Sequence, residues 1–310
     1  MHKKVIVAGS VKSSNLVLET LIEEGVDVIK VYSYDGDNKT EISGYYPIHE
    51  TAKRAGIPYR LFTKLNDTSI IKEIKTLSPD YLFVVGLSQI VSKEIIEAAK
   101  EGTIGLHPAP LPKYRGRAAM VWQMLLKEKS SAVSMFFIDE GMDTGDIIVQ
   151  EPFEIGDSDY AEDLDKKGLE ALGRAIKKVA RMIKEGHVDR FPQDESKAIY
   201  LLKRSPEDGE IDWNQPISDI HLLIRAVSRP YPGAFSYYDG NKKVIIWRAD
   251  ILPNTKYIGI NGQIAEKTST SFDVVCKDGL LHVYDYEVCE NNDDKPTKLI
   301  VGHKLRGEKR

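Results

Sequence analysis

Short apolar runs alternate with amphipathic stretches along the first half of the chain, and this alternation most constrains the fold. Val5-Ile6-Val7-Ala8-Gly9 reads as a buried strand. Ser13 to Glu24 follows, with Leu16, Leu18, Leu21 and Ile22 at helical spacing, and stops at Gly25. Val28 to Tyr34, Leu82 to Gly86 and Ile104 to His107 repeat the strand signal. Ile48 to Ala55, Ser92 to Lys100 and Ala119 to Lys127 repeat the helical one. Ala132 to Ile138 and Asp146 to Glu151 read as strands on either side of an acidic loop. Strands and helices alternating at this pitch predict an α/β domain with a doubly wound parallel sheet. A long helix from Ala161 to Gly186 completes it, with Leu164, Leu172, Ile176, Val179 and Ile183 on one face.

The character changes near Ser205. A helix over Ile217 to Val227 is followed by short strands and Gly turns: Phe235 to Tyr238, Val244 to Trp247, Phe272 to Cys276 and Leu280 to Tyr286. That pattern predicts a small β-barrel or sandwich, with Trp213, Tyr231, Phe235 and Tyr237 as aromatic core. The expected division is 1–190 for the first domain, 191–204 for an extended linker and 205–310 for the second domain. Asn291 to Pro296 reads as a solvent loop.

Composition excludes several classes. A formal net charge of −4 argues against broad polyanion binding. The two cysteines, Cys276 and Cys289, make no metal spacing, and no His/Cys/Asp/Glu cluster does, so no metal is expected. No apolar stretch reaches membrane-spanning length, and the first residues lack the apolar core of a signal peptide. A reducing, cytoplasmic setting is the expectation.

Chemistry concentrates in two loops. Thr103-Ile104-Gly105-Leu106-His107 ends a strand at a titratable side chain, and Pro108-Ala109-Pro110-Leu111-Pro112-Lys113-Tyr114-Arg115-Gly116-Arg117 follows as a proline-braced loop. Asp139-Glu140-Gly141-Met142-Asp143-Thr144-Gly145 is acidic and broken by glycine, which permits a backbone able to aim the Asp143 carboxylate. A histidine at a strand end and a loop carboxylate form a candidate acid/base pair. Pro108, Tyr114, Arg115 and Arg117 are candidates for substrate contact, the arginines through bidentate phosphate binding or else as surface charge. Gly9 to Asn15 is neither a P-loop nor a dinucleotide fingerprint. Ser10 and Lys12 still stand where a strand-end loop lines a ligand crevice, or where an ordinary capped turn would.

The run His107 to Arg117 resembles the signature loop of the folate-dependent formyltransferases, and Asp139 to Gly145 resembles their acidic loop. Arg204 to Trp213 and Pro230 to Tyr237 look like the start of that family's C-terminal domain. The likeness covers nearly the whole chain and is especially similar to sugar-nucleotide formyltransferases. It implies a Rossmann-like catalytic domain followed by an OB-like barrel, and formyl transfer from N10-formyltetrahydrofolate to a primary amine. It also implies His107 as base and oxyanion stabiliser and Asp143 as its support. By the same likeness, Leu87, Ser88, Ile90, Ile138, Asp139 and Gly141 lie near the folate. Relatives often dimerise, but a single chain does not place an interface.

One position departs from the pattern. The family places an asparagine two residues before the histidine, and this chain has Gly105. Loss of one oxyanion donor costs on the order of 10²–10³ in rate elsewhere. Gln89, after the preceding strand, is the expected substitute amide. A domain that only binds folate or a sugar nucleotide is the non-catalytic alternative.

The acceptor reading rests on charge. Residues 205–310 carry 14 basic against 16 acidic side chains, and residues 33–50 carry Lys39 against Asp35, Asp37, Glu41 and Glu50. Phosphate contacts supply most nucleic-acid affinity. A nucleotide-linked amino sugar is therefore expected over a tRNA, with methionyl-tRNA formylation as the rival.

Overall fold

The computed structural model describes residues 2–37, 39, 42, 44–87, 89–239, 242–289 and 297–307. Contacts divide the chain into two units. The first comprises 1–119, 129–155 and 165–202; the second comprises 120–128, 156–164 and 203–310.

In the first unit, strands β1 (Lys4–Gly9), β2 (Asp27–Tyr34), β3 (Tyr59–Phe62), β4 (Tyr81–Val85) and β5 (Gly102–His107) are joined to one another in parallel. Helices α1 (Lys12–Glu23), α2 (Ile48–Arg54), α3 (Thr68–Leu77) and α4 (Lys93–Ile96) stand between them. A two-residue strand, β6 (Arg115–Gly116), follows the histidine loop, and α5 (Ala119–Leu125) comes after it. Strands β7 (Ser130–Phe137) and β8 (Ile147–Glu154) complete a seven-stranded sheet in the order β3-β2-β1-β4-β5-β7-β8. The parallel sheet expected from the sequence holds for β1 to β5 and ends there, since β5–β7 and β7–β8 are antiparallel. The turn from β7 to β8 is too short for the crossover of a dozen or more residues that a parallel pair requires.

β1 and β4 are buried along almost their whole length, as their unbroken apolar runs require. On one face Ile6, Ala8, Leu82 and Val84 pack with Ile70 and Ile74 of α3 and Ile95 of α4. Each of these Ile, Leu and Val side chains contributes about 1.5–3 kcal/mol by leaving water. The long helix α6 (Ala161–Glu185) buries Leu172, Ile176, Val179 and Ile183, the stripe expected from the sequence. Two elements escaped the sequence reading. β3 is an edge strand with one buried residue, and α3 buries only Ile70 and Ile74. The β3 signal is too sparse for periodicity to register, whereas α3 does carry helical spacing at Ile70, Ile71, Ile74 and Leu77 behind the Asp67 cap and was overlooked. α4 is one turn where a longer helix was expected.

Residues 191–204, expected as a linker, include a second short strand, β9 (Tyr200–Leu201), hydrogen-bonded in parallel to β6.

The second unit holds α7 (Ile217–Val227), β10 (Ala234–Tyr238), β11 (Lys242–Leu252), β12 (Ile264–Lys267), β13 (Phe272–Cys276), β14 (Gly279–Val288) and β15 (Leu305–Arg306). Its sheet runs β12-β13-β14-β11-β10-β15, with antiparallel neighbours throughout. Irregular register around Arg248 bends the long β11–β14 pair. The curl brings the two edges together: Ile264 N–H donates to the His303 carbonyl and Leu305 N–H to the Gly262 carbonyl, each at 2.8 Å. This near-closure is consistent with an OB-like barrel. Trp213 is buried and donates its indole N–H to Ser236 Oγ at 3.0 Å, so it is core. The segment 291–296 lies outside the described residues.

Candidate active site

β5 ends at His107, whose side chain is buried at the carboxyl edge of the sheet. Directly across from it on β7 stands Ser134, and across from Ser134 on β8 stands Gln150. This row pins the proline-braced loop. Ser134 Oγ donates to the Ala109 carbonyl at 2.6 Å and accepts from Leu111 N–H at 3.3 Å. Gln150 Nε2 donates to the Leu111 carbonyl at 2.8 Å and to Ser134 Oγ at 2.9 Å. The loop then turns at Tyr114, whose φ of 70° lies in the left-handed region that a bulky side chain seldom adopts.

The turn aims the Tyr114 carbonyl at His107. His107 Nε2 lies 2.7 Å from that oxygen, which can only accept, so Nε2 carries the proton. The basic nitrogen is therefore Nδ1. Asp143 Oδ2 faces it at 3.5 Å. Sequence pairing of His107 with Asp143 is thus realised in space.

Asp143 is also strained, with φ 55°. Such a backbone costs about 1–3 kcal/mol and persists only where its surroundings hold it. Gly116 N–H donates to Asp143 Oδ2 at 2.8 Å. Gly116 itself must lack a side chain: its φ is 108°, and a Cβ would stand 2.4 Å from the Leu201 carbonyl oxygen. At Gly141 the backbone is ordinary, and a Cβ would meet only the Thr144 side chain, with Oγ1 at 2.0 Å. Asp139 shapes the same loop, accepting from Gly141 N–H at 3.0 Å and from Thr144 Oγ1 at 2.6 Å.

Gly105 has no room for the missing amide. A Cβ there would stand 2.9 Å from Ile138 Cγ1 and 3.2 Å from Phe136 Cε1. Gln89 does not fill the gap in this arrangement. Its Oε1 accepts from Leu65 N–H at 2.9 Å and its Nε2 donates to the Thr63 carbonyl at 2.7 Å, so the amide is committed to the turn after β3.

Arg115, a candidate for phosphate, is fully buried and has no donor left for one. Its five N–H groups meet five acceptor contacts: Gln193 Oε1 twice, both oxygens of Glu195, and Tyr200 Oη. The Glu195 hydrogen bonds push the guanidinium well above its ordinary pKa, and the same contact lowers that of Glu195. Sequence reasoning missed Gln193, Glu195 and Tyr200, since a polar run beyond a long helix carries no periodic signal.

The remaining candidates divide by exposure. Ser10 is buried, with its hydroxyl donated to the Gly86 carbonyl at 2.9 Å. Lys12 and Arg117 are exposed, with no ion pair among the described residues. Pro108 is half-buried. For the folate segments, Leu87 and Ile138 both pack against one core cluster. Ile90 is 83% exposed and Met142 56% exposed, and Lys93, at the start of α4, pairs with Glu140 at 2.7 Å. Ser88 lies outside the described residues, and among those described no group of His, Cys, Asp or Glu could hold a metal.

Comparison with known proteins shows the family. Residues 3–180 match the family described as Formyl transferase, and residues 203–296 match Formyl transferase, C-terminal domain. The chain belongs to the formyl transferase family. Among solved structures it is similar to HypX from Aquifex aeolicus in complex with tetrahydrofolic acid, with 17% identity and a TM-score of 0.69. That match covers 91% of this chain and 44% of HypX, so the chain spans less than half of that protein. It is similar to the N-formyltransferase from Helicobacter canadensis in complex with folinic acid and dTDP-3-aminofucose, with 23% identity and a TM-score of 0.65 over 93% of this chain and all of that one. It is also similar to methionyl-tRNA formyltransferase from Clostridium thermocellum, with 18% identity and a TM-score of 0.59 over 93% of this chain and all of that one.

Proposed function

We propose that this chain moves a formyl group from N10-formyltetrahydrofolate to the primary amine of a nucleotide-linked amino sugar. The observation that carries the reading is the His107–Asp143 pair, assembled at the end of β5 in a formyl transferase fold. An amine must lose a proton to end as an amide. His107 Nδ1 is the nitrogen free to take that proton, because Nε2 is held by Tyr114. Asp143 then stabilises the imidazolium and fixes the ring. When bound, the folate supplies an electrophilic one-carbon carbonyl. Residues 87–90 and 138–143 would hold it, with Gly105 leaving no amide at the family position.

Two observations favour the sugar nucleotide over tRNA. The β2–α2 segment 33–50 carries one basic residue against four acidic ones, and its Lys39 is paired with Asp35. A tRNA-binding surface needs the opposite balance. The Helicobacter relative was solved with a dTDP-amino sugar. The chain acts in the cytoplasm on this reading; no helix among the described residues is long and apolar enough to cross a membrane.

The test mixes purified protein with N10-formyltetrahydrofolate and UDP-, dTDP- or GDP-linked amino sugars. A mass gain of one formyl group with release of tetrahydrofolate is expected. Formylation of charged initiator tRNA instead would overturn the acceptor. Tight binding without product from any acceptor would make the chain a binding module.

A further inference from the structure

We propose that Gln193 is a positioning residue for the His107–Asp143 pair, and that residues 191–201 are part of the transfer site rather than a connector. This rests on the reading of the pair given above.

The geometry is specific. Gln193 Nε2 donates to the Asp143 carbonyl at 2.8 Å and to the Gly145 carbonyl at 2.7 Å. Its Oε1 accepts from Arg115 Nε at 3.1 Å and Nη2 at 2.8 Å. The amide therefore uses both donors and both acceptor sites, and its orientation is fixed by chemistry. Two carbonyls demand the nitrogen, and a guanidinium demands the oxygen. Arg115 opens β6, at the end of the histidine loop, and Asp143 sits in the acidic loop. One side chain thus ties together the two loops that carry the catalytic pair.

The segment around it is built to hold that amide in place. Phe191 and Ile147 exchange backbone hydrogen bonds at 2.8 and 2.9 Å, just past the acidic loop. Arg115 N–H donates to the Ile199 carbonyl at 2.9 Å, at the far end of the segment. Glu195 and Tyr200 saturate the guanidinium between these anchors. The Asp143 backbone is strained at φ 55°, and Gln193 is the side chain that grips its carbonyl. Without that grip the carboxylate loses the backbone that aims it at Nδ1. Gln193 makes no hydrogen bond to His107 itself; it acts on the pair through the Asp143 carbonyl and through Arg115 at the end of the histidine loop.

The decisive variant is Gln193→Glu. A carboxylate keeps, and strengthens, the bond to Arg115, so the segment stays anchored. It cannot donate to the Asp143 and Gly145 carbonyls. Gln193→Ala removes both functions. Lys177→Ala, on an exposed residue of α6 outside the segment, is the control. Two readouts are taken. One is steady-state kinetics, where kcat is expected to fall roughly 10- to 100-fold in both Gln193 variants with KM for each substrate nearly unchanged. The other is the ¹⁵N signature of the His107 ring, which reports the tautomer and the Asp143 contact with no substrate present. The ring signals are expected to move in both Gln193 variants and to stay in place in Lys177→Ala. Unmoved ring signals in a folded Gln193→Glu protein would overturn the proposal, whatever happens to kcat. If the wild type turns over no amine, the ring signals still decide the positioning role, and only the reaction reading fails.

Discussion

Ile138 packs against the bare α-carbon of Gly105, close enough that a Cβ on residue 105 would lie 2.9 Å from its Cγ1. The glycine and the isoleucine are therefore one feature. Where the family resemblance places an amide, this chain has a small residue with an apolar neighbour leaning over it. Gly105→Asn alone is expected to overpack the site and to cost about 1–3 kcal/mol of stability. It should not accelerate transfer. Pairing it with Ile138→Ala opens the space, and that double variant should recover part of the ~10²–10³ associated with an oxyanion donor. Thermal melts and single-turnover rates on the three proteins check this. A stable, faster Gly105→Asn single variant would show that Ile138 does not matter.

Gln89 takes the opposite expectation from the one its sequence position suggests. Its amide joins the Thr63 and Leu65 backbone groups. Gln89→Ala should cost about 1–2 kcal/mol for two lost hydrogen bonds. The rate of the chemical step should stay near wild type. A loss of roughly 10²-fold in single turnover would return Gln89 to the site.

His107 and Asp143 should fail in distinguishable ways. His107→Asn removes the proton acceptor and should lower kcat by about 10²–10⁴. Asp143→Asn keeps an oxygen for Gly116 N–H but loses the charge that faces Nδ1, so substrate binding should persist while kcat falls. Equilibrium binding of folate and of the sugar nucleotide, measured beside kcat, separates the two effects. Weakened binding in both variants with intact chemistry would make the pair a ligand clamp.

Much of this site was legible because it is contiguous in sequence. His107 closes an apolar strand and opens a proline-braced loop, and glycines bracket Asp143, so each residue's local grammar announces a purpose. Gln193 carries no such grammar. Its partners lie 50 and 78 residues away, and only the folded chain brings them together. Arg115 misled for a related reason. An arginine beside glycine in a polar turn reads as a surface charge or an anion binder, whereas folding buries it completely under Glu195 and Tyr200. The sheet shows the same divide. β1 and β4 are continuous apolar runs and declare themselves, while the direction of β7 and β8 depends on a connection length that periodicity does not weigh. Edge strand β3, with one buried residue, was invisible for want of a pattern.

Ser134 offers a test of how far loop bracing governs the chemistry. It is fully buried, opposite His107, and three hydrogen bonds meet at its hydroxyl. Ser134→Ala leaves one Gln150 hydrogen without its partner, and leaves Leu111 N–H and the Ala109 carbonyl with only each other, at 3.0 Å. A loss of about 1–3 kcal/mol is expected from the buried groups left unmet. The loop that carries the Tyr114 carbonyl should loosen, and turnover should fall with stability. Ser134→Thr keeps the hydroxyl, and turnover near wild type is expected if the added methyl is accommodated. Hydrogen exchange at Leu111 and turnover together check the link. Fast exchange with unchanged turnover would separate bracing from catalysis.

Acid should unfasten β8 from α6. Glu151 is a buried carboxylate, with Arg174 Nε at 3.1 Å and Lys178 Nζ at 2.5 Å. Burial pushes its pKa up, but the hydrogen-bonded Lys178 and Arg174 outweigh it and hold the group below its usual value. A carboxyl whose folded pKa is depressed stabilises the protein above the unfolded value of about 4.3, and that contribution is lost as pH falls through the folded value. The two cations are 51% and 57% exposed, so solvent screens the pair and its contribution is about 1 kcal/mol. Wild-type stability should therefore fall more steeply than that of Glu151→Gln as pH drops below about 4.5. Urea unfolding from pH 7 to pH 3 measures both slopes. Parallel curves would mean that the ion pair forms no better in the folded chain than in the unfolded one, and that burial of β8 rests on its apolar side chains alone.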